Sequence, residues 1–120
     1  MEVKTPYPVD VIAQIEEKYP VTAKSFKAIQ HENFELFSAK QLSYGPSNIA
    51  MGTMLETEED KRLALTALII RMNDKINRLI NLVIRNNKNT LRDESVIDTV
   101  ADLGIYAVIA QVVNDDSWGK

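Results

Sequence analysis

Apolar residues recur along this chain at the three- and four-residue spacing of amphipathic helices. Val11, Ile12 and Ile15 follow a proline pair and predict a short first helix over about 9–18. A second helix is predicted over about 22–42, where apolar side chains stand three to five residues apart. It should end at Gly45, because glycine readily takes the left-handed cap conformation. Residues 43–55 are then a predicted loop.

Two further helices are predicted in the second half of the chain. The third begins at Thr57, whose hydroxyl can cap it, and extends to about Arg85. A polar string at 86–90 interrupts the pattern, and Thr90 or Asp93 can cap a fourth helix that ends near Asn114. Residues 115–120 are predicted to be frayed. Because no segment alternates with period two, we expect one all-α, four-helix-bundle-like domain over residues 1–120.

Composition narrows the classes of protein to consider. The 120 residues include no cysteine, which excludes disulfides and thiolate metal sites. The net charge of −3 weighs against a duplex nucleic-acid partner, which normally needs a basic surplus. The first residues lack an apolar signal core, and no uninterrupted apolar run approaches the roughly 20 residues of a membrane span. We therefore expect a soluble cytoplasmic protein with no membrane partner.

The third predicted helix carries a polar stripe beside its apolar face. Arg71, Asp74, Lys75 and Arg78 fall within an arc of about 100° on this helix. Guanidinium groups bind phosphate oxygens in pairs and an ammonium adds a point charge, so the stripe suits a polyphosphate ligand. The alternative is a solvated face with pairs four residues apart, such as Asp74 with Arg78.

The fourth predicted helix carries an acidic ridge. Glu94, Asp98 and Asp102 recur every four residues, with apolar residues beside them, so the ridge is not on a purely polar side. Carboxylates in such a position bind a metal or pair with cations. One interpretation is therefore a Mg²⁺ or Mn²⁺ site completed by substrate phosphates. The other pairs the three acids with Arg71, Lys75 and Arg78 of the preceding antiparallel helix, and both stay open.

The second predicted helix carries weaker signals. Glu32 and Glu35 form an ExxE pair, Lys40 follows, and Tyr44 stands at the exit turn. His31 is the only histidine, which excludes a histidine-based triad or a multi-histidine zinc site. The glycines form no phosphate-binding loop of the known kinds.

Three separated segments, in order, carry a family resemblance. They are Lys40-Gln41-Leu42-Ser43-Tyr44-Gly45, Arg71-Met72-Asn73-Asp74-Lys75-Ile76-Asn77-Arg78-Leu79, and the run from Asp93 to Ala107. Over roughly residues 30–112 the chain resembles the nucleotide modification associated domain 1 family, small proteins common in bacteriophages.

That family is in turn similar to the all-α NTP pyrophosphatases, the MazG and dimeric dUTPase group. These enzymes hydrolyse nucleoside triphosphates to monophosphate and pyrophosphate with Mg²⁺ held by acidic helices, usually through ExxE on one helix and ExxD on the next. Here Asp98 and Asp102, followed by Tyr106, stand where the second motif would be, with a spacing of four. Arg71 and Asp74-Lys75 stand where the first would be.

The resemblance implies a phage protein of the host cytoplasm that binds a nucleoside triphosphate and forms a homo-oligomer. In its enzyme version Glu35 is the general base. The implied Mg²⁺ or Mn²⁺ ligands are Asp74, Glu94, Asp98 and Asp102. The implied substrate-binding residues are Lys40, Arg71, Lys75 and Arg78 at the phosphates, with Tyr44 and Asn48 at the base or sugar.

Two other functions remain open beside hydrolysis. One is a non-catalytic module that binds a nucleotide or a protein partner and assists phage DNA modification or counters host defence. It needs the cationic stripe but no metal. The other is a helical interaction protein whose charged stripes pair with one another.

Overall fold

The computed structural model describes residues 6–120, and within this range the chain forms five α-helices, one π-helical segment and no β-strand. The predicted all-α class is confirmed. The elements are α1 (Val11–Lys18), α2 (Pro20–Tyr44), α3 (Ser47–Ala50), α4 (Glu58–Leu79), the π segment (Ile80–Ile84) and α5 (Val96–Asn114).

The chain divides into two compact units, the first ending at Glu35 and the second comprising Leu36–Lys120. The first unit contains α1 and the beginning of α2. The Asp10 carboxylate accepts a hydrogen bond from the Ala13 amide at 3.0 Å and so caps α1. An exposed ion pair of 3.2 Å between Lys27 and Glu16 links the two helices of this unit.

In the second unit, side-chain caps determine where the long helices begin. Thr57 accepts a hydrogen bond from the Asp60 amide at 3.1 Å, which confirms the predicted cap of α4. The predicted caps of the last helix, Thr90 and Asp93, are wrong, because α5 begins after Ser95. Ser95 Oγ accepts from the Asp98 amide at 3.0 Å, while Asp98 Oδ2 accepts from the Ser95 amide at 2.9 Å. This reciprocal capping box satisfies two backbone donors at once.

The connection between α2 and α4 is more ordered than the predicted loop over 43–55. Gly45 ends α2 with φ of +72°, as expected of a left-handed cap. The chain then forms α3, whose Ile49 and Ala50 are buried in the core. Burial of these two side chains stabilises a helical turn that local propensity alone does not indicate.

The core of the second unit lies where α3, α4 and α5 meet. Lys61, near the start of α4, donates to the Asn114 carbonyl at the end of α5, and Lys75, further along α4, contacts Glu94 before α5. The two helices are therefore antiparallel. The buried side chains of this core are Ile49, Ala50, Ala64, Leu68, Ile109, Val113 and Trp118.

The predicted fraying of residues 115–120 is wrong. Trp118 is only 8 % exposed, and its Nε1 donates to the Pro46 carbonyl at 3.1 Å. Its ring meets Phe37 edge to face, with 6.1 Å between ring centroids. The polar residues around Trp118 suggested a frayed terminus, but one buried indole holds the segment against the core.

Candidate functional site

Lys75 lies at the centre of the charged cluster between α4 and α5. Its Nζ is 2.8 Å from Glu94 Oε1 and 3.3 Å from Asp102 Oδ2. Burial by itself lowers the pKa of Lys75, but the hydrogen bonds to Glu94 and Asp102 outweigh it, so the net pKa is raised. The hydrogen bond from Lys75 is also the main reason that the pKa of Glu94 is lowered. Lys75 and Glu94 therefore stabilise each other's charged forms, and Asp102 adds to the stabilisation of the Lys75 cation.

Arg78 holds the segment before α5 against α4. Its Nε donates to Thr99 Oγ1 at 3.0 Å, and one terminal nitrogen donates to the Glu94 carbonyl at 2.6 Å and to Asn89 Oδ1 at 3.0 Å. Thr99 is fully buried. Because these partners occupy the guanidinium, Arg78 has a structural role here, and a phosphate at this position would displace them.

The other two acids predicted to bind metal, Asp98 and Asp74, do not form an ion pair with Lys75. Asp98 belongs to the capping box, and the hydrogen bonds from Ser95 lower its pKa. Asp74 is exposed on α4. Within residues 6–120 no group of three or more acidic or histidine side chains is arranged to hold a metal ion. The acids do not fit a Mg²⁺ site in this arrangement, because the ammonium of Lys75 already lies between Glu94 and Asp102.

An open cleft of about 300 Å³ lies beside this cluster, in the second unit. It combines aromatic, polar and charged side chains in the way that small-molecule sites do, and its volume is at the lower end of the range for such sites. The lining residues are Phe37, Lys40, Gln41, Tyr44, Asn48, Ile49, Arg71, Asp102, Ile105, Tyr106 and Ile109.

Arg71 provides the main positive charge of this cleft. One terminal nitrogen donates to the Asn48 carbonyl at 2.9 Å, and the guanidinium lies 5.9 Å from the centroid of the Tyr106 ring. Among residues 6–120, Arg71 has no carboxylate within ion-pair distance. It is therefore oriented by neutral partners and keeps its charge available to an anionic ligand.

Lys40 and Asp102 form the boundary of the cleft. Lys40 Nζ is 3.4 Å from Asp102 Oδ1, and the lysine side chain is half exposed. Both residues also line a second, more acidic depression of about 370 Å³, with Leu36, Lys75, Asp93, Glu94 and Asp98. Asp102 contacts both Lys40 and Lys75, so its negative charge is compensated. The charged residues that line the first cleft are Lys40, Arg71 and Asp102, which gives the cleft one more cation than anions.

The structure brings together four of the six predicted substrate-binding residues, since Lys40, Tyr44, Asn48 and Arg71 line one cleft. Lys75 lines the second depression, and Arg78 lines neither. Glu35 belongs to the first unit, where its exposed carboxylate is 2.9 Å from His31 Nε2. Its role as a general base stays a prediction.

Sequence reasoning missed several side chains of the cleft. Gln41 donates to Asn48 Oδ1 at 2.9 Å and so positions the turn that contacts Arg71. The Tyr106 ring centroid is 5.9 Å from the Arg71 guanidinium, and the position of Tyr106 four residues after Asp102 was the available signal. Phe37 and Ile105 gave no signal beyond their apolar character.

In comparisons with known proteins, no protein-family model matches this chain, and neither a curated protein nor a solved structure matches it. The geometry of the cleft therefore carries the functional argument.

Proposed function

We propose that this domain binds a nucleotide in the cleft through direct contacts between its phosphate groups and Arg71 and Lys40. The observation that carries the proposal is a guanidinium that faces a cleft, is oriented by a backbone carbonyl and an aromatic ring, and has no carboxylate partner. Such a group suits bidentate binding of phosphate.

The other walls of the cleft suit the rest of a nucleotide. Tyr44 is exposed at the end of α2, and Tyr106 and Phe37 add further ring surface. An aromatic face can stack on any base, at about 1–3 kcal/mol per base. The side-chain amides of Gln41 and Asn48 can exchange hydrogen bonds with sugar hydroxyls or base edges.

Direct binding is favoured over metal-dependent hydrolysis by the state of the acids. Glu94 and Asp102 are paired with Lys75, and Asp98 caps α5, so an incoming Mg²⁺ must first displace a cation. The binding module is accordingly the function we propose, and hydrolysis of a nucleoside triphosphate stays a prediction. The sequence resemblance to a phage-associated family implies a nucleotide as the ligand and the host cytoplasm as the location, and both stay predictions.

The proposal is tested by thermal unfolding of the native chain with nucleosides and their mono-, di- and triphosphates, each with Mg²⁺ and with a chelator. A ligand at 100 times its dissociation constant stabilises the native state by about 2.7 kcal/mol. We expect the melting temperature to rise with phosphate number in the chelator series. The absence of a shift with every compound would overturn the proposal, and a shift confined to Mg²⁺, with pyrophosphate release, would favour hydrolysis.

A further inference from the structure

The segment that follows α5 contacts the turn that supports the cleft. We call residues 115–119 the latch segment. Within it, Trp118 Nε1 donates to the carbonyl of Pro46, the residue that immediately precedes α3. The Gly119 backbone lies so close to this proline that a Cβ on Gly119 would be 3.3 Å from the Pro46 Cβ. The latch segment and the cleft both belong to the second unit, so their contacts are internal to one compact body.

The latch segment is fixed at its other end by a structured helix terminus. The amides of Asp116 and Ser117 donate to carbonyls in the last turn of α5, at 3.1 and 3.2 Å, and Asp116 has a φ of +59°. This is a Schellman motif, in which a left-handed residue ends the helix. Lys61 of α4 is 3.1 Å from the Asp116 carboxylate. The latch segment is therefore held against α4 before it reaches Pro46.

The four-residue helix α3 depends on tertiary contacts for its position, because a helix this short is not stable alone. Ile49 and Ala50 anchor its buried side. At its start, the Pro46 carbonyl accepts hydrogen bonds from the amides of Ile49 and Ala50, at 3.2 and 3.1 Å. The same oxygen accepts the bond from the Trp118 indole. One carbonyl thus connects the first turn of α3 to the latch segment.

This short helix in turn orients the main cation of the cleft. Arg71 donates to the Asn48 carbonyl at 2.9 Å, and Asn48 lies two residues after Pro46. Hydrogen bonds of this kind weaken outside about 2.7–3.2 Å, so the position of α3 determines the orientation of the guanidinium. The Trp118 ring also meets Phe37, whose side chain lines the cleft from α2. Trp118 therefore contacts the supports of two walls of the cleft.

We propose that Trp118 is a positioning residue of the candidate nucleotide site. It holds Pro46 and Phe37, and through α3 it keeps Arg71 in the orientation that receives phosphate. This inference rests on the proposed function, since it assigns Trp118 a part in binding that same nucleotide. Trp118 is only 8 % exposed and does not line the cleft, so it acts through its neighbours. Nucleotide affinity then depends on docking of the latch segment, and by linkage a bound nucleotide strengthens that docking.

A purely structural role for Trp118 has different consequences. Trp118 belongs to the core cluster with Ile49, Leu68 and Val113, so its replacement lowers stability in either case. A positioning role requires in addition that the change reach Arg71 in a chain that is still folded. The comparison therefore needs a variant that loses stability to a similar extent at a place remote from the cleft.

The first measurement is made without ligand, on Trp118→Phe and on the control Thr57→Ala. Trp118→Phe keeps a ring but removes the donor to Pro46, and Thr57→Ala removes the cap of α4. The readout is the heteronuclear NOE of the Arg71 Nε–H group, whose NMR signal is assigned by its loss in Arg71→Met. We expect a lower NOE, and so a more mobile guanidinium, in Trp118→Phe alone. An Arg71 signal as ordered in Trp118→Phe as in the wild type would overturn the proposal.

The second measurement is isothermal titration with inorganic triphosphate in a chelator, because this probe carries the phosphate groups without a base. Trp118→Phe should bind about three- to tenfold more weakly than the wild type, the range that one hydrogen bond supports. Thr57→Ala should bind as the wild type does, and in the Arg71→Met background Trp118→Phe should cause no further loss. Equal affinity of wild type and Trp118→Phe, or an equal further loss without Arg71, would overturn the proposal.

The two measurements separate this inference from the proposed function. If the wild type does not bind the probe, direct binding of phosphate fails, whereas the NOE still decides whether Trp118 positions Arg71. If the wild type binds and the NOE is unchanged in Trp118→Phe, the proposed function stands and the role of Trp118 is refuted.

Discussion

Replacing Lys75 by methionine tests whether the cluster between α4 and α5 is held by internal pairing. The substitution keeps the aliphatic length of the side chain but removes the cation that contacts Glu94 and Asp102. Two carboxylates would then face each other across the position of the ammonium, with fewer compensating partners. We expect a loss of stability and a rise in the pKa of Glu94, which the hydrogen bond from Lys75 lowers in the native chain.

The expected loss of stability in Lys75→Met follows from how exposed the three charged side chains are. Breaking a fully buried pair costs about 3–5 kcal/mol, whereas an exposed pair contributes about 0–1 kcal/mol. The side chains of Lys75, Glu94 and Asp102 are 22 %, 28 % and 19 % exposed, which is between these limits. We therefore expect a loss of about 2 kcal/mol, or about 6–10 °C in melting temperature for a domain of this size.

The assay is urea unfolding monitored by circular dichroism, with a double-mutant cycle. Lys75→Met combined with Glu94→Gln should be more stable than the sum of the single effects predicts, because the second change removes the unpaired charge. Lys88→Met, at an exposed lysine of the preceding loop, is the matched control and should change stability by less than about 0.5 kcal/mol. A near-neutral Lys75→Met variant, together with an additive cycle, would refute the internal-pairing argument.

Three further predictions concern the tail, the capping box and the pH dependence. Trp118→Ala should lower the free energy of unfolding by about 3 kcal/mol, because it removes the buried ring. Trp118→Phe keeps a ring and should lower it by about 1 kcal/mol beyond any packing change, because it loses mainly the hydrogen bond to the Pro46 carbonyl. Equal losses for the two variants in urea titrations would contradict the role of the ring. Ser95→Ala should lower the free energy of unfolding by about 1 kcal/mol in the same assay. An unchanged free energy of unfolding would show that the capping box does not stabilise the fold. The pKa values of Glu94 and Asp98 are lowered in the folded state, so their ionised forms stabilise the fold at neutral pH. This stabilisation should be lost as the pH falls below about 5. A melting temperature that stays constant between pH 7 and pH 3 would contradict this prediction.

Local chemistry explains how much of the fold the sequence could predict. The helical period, the Thr57 cap and the left-handed Gly45 depend on neighbours within a few residues, and all three were predicted. The start of α5 was not, because several residues between 90 and 95 can cap and only tertiary packing selects Ser95. Trp118 was missed for the same reason, since its partners Pro46 and Phe37 are distant in sequence.

For the candidate site too, the sequence predicted what helical spacing determines and left open what depends on the packing of two helices. Helical spacing placed Arg71 and Lys75 on one stripe, and Asp98 and Asp102 on one ridge, as the sequence indicates. It left open whether the acids pair with cations or bind a metal, because that choice depends on the register of α5 against α4. The register places Lys75 between two carboxylates and leaves Arg71 beside a carbonyl and a ring.

The central claim, that Arg71 binds nucleotide phosphate directly, is tested by isothermal titration of the native chain and Arg71→Met in a chelator. The ligand is the nucleotide that gives the largest thermal shift, and Arg85→Met, at an exposed arginine after the π segment, is the matched control. We expect the Arg71 variant to bind at least about tenfold more weakly, a loss of about 1.4 kcal/mol, with an unchanged circular-dichroism spectrum and a control that binds as the wild type does. Equal affinity of wild type and Arg71→Met, or binding that requires Mg²⁺, would contradict the claim.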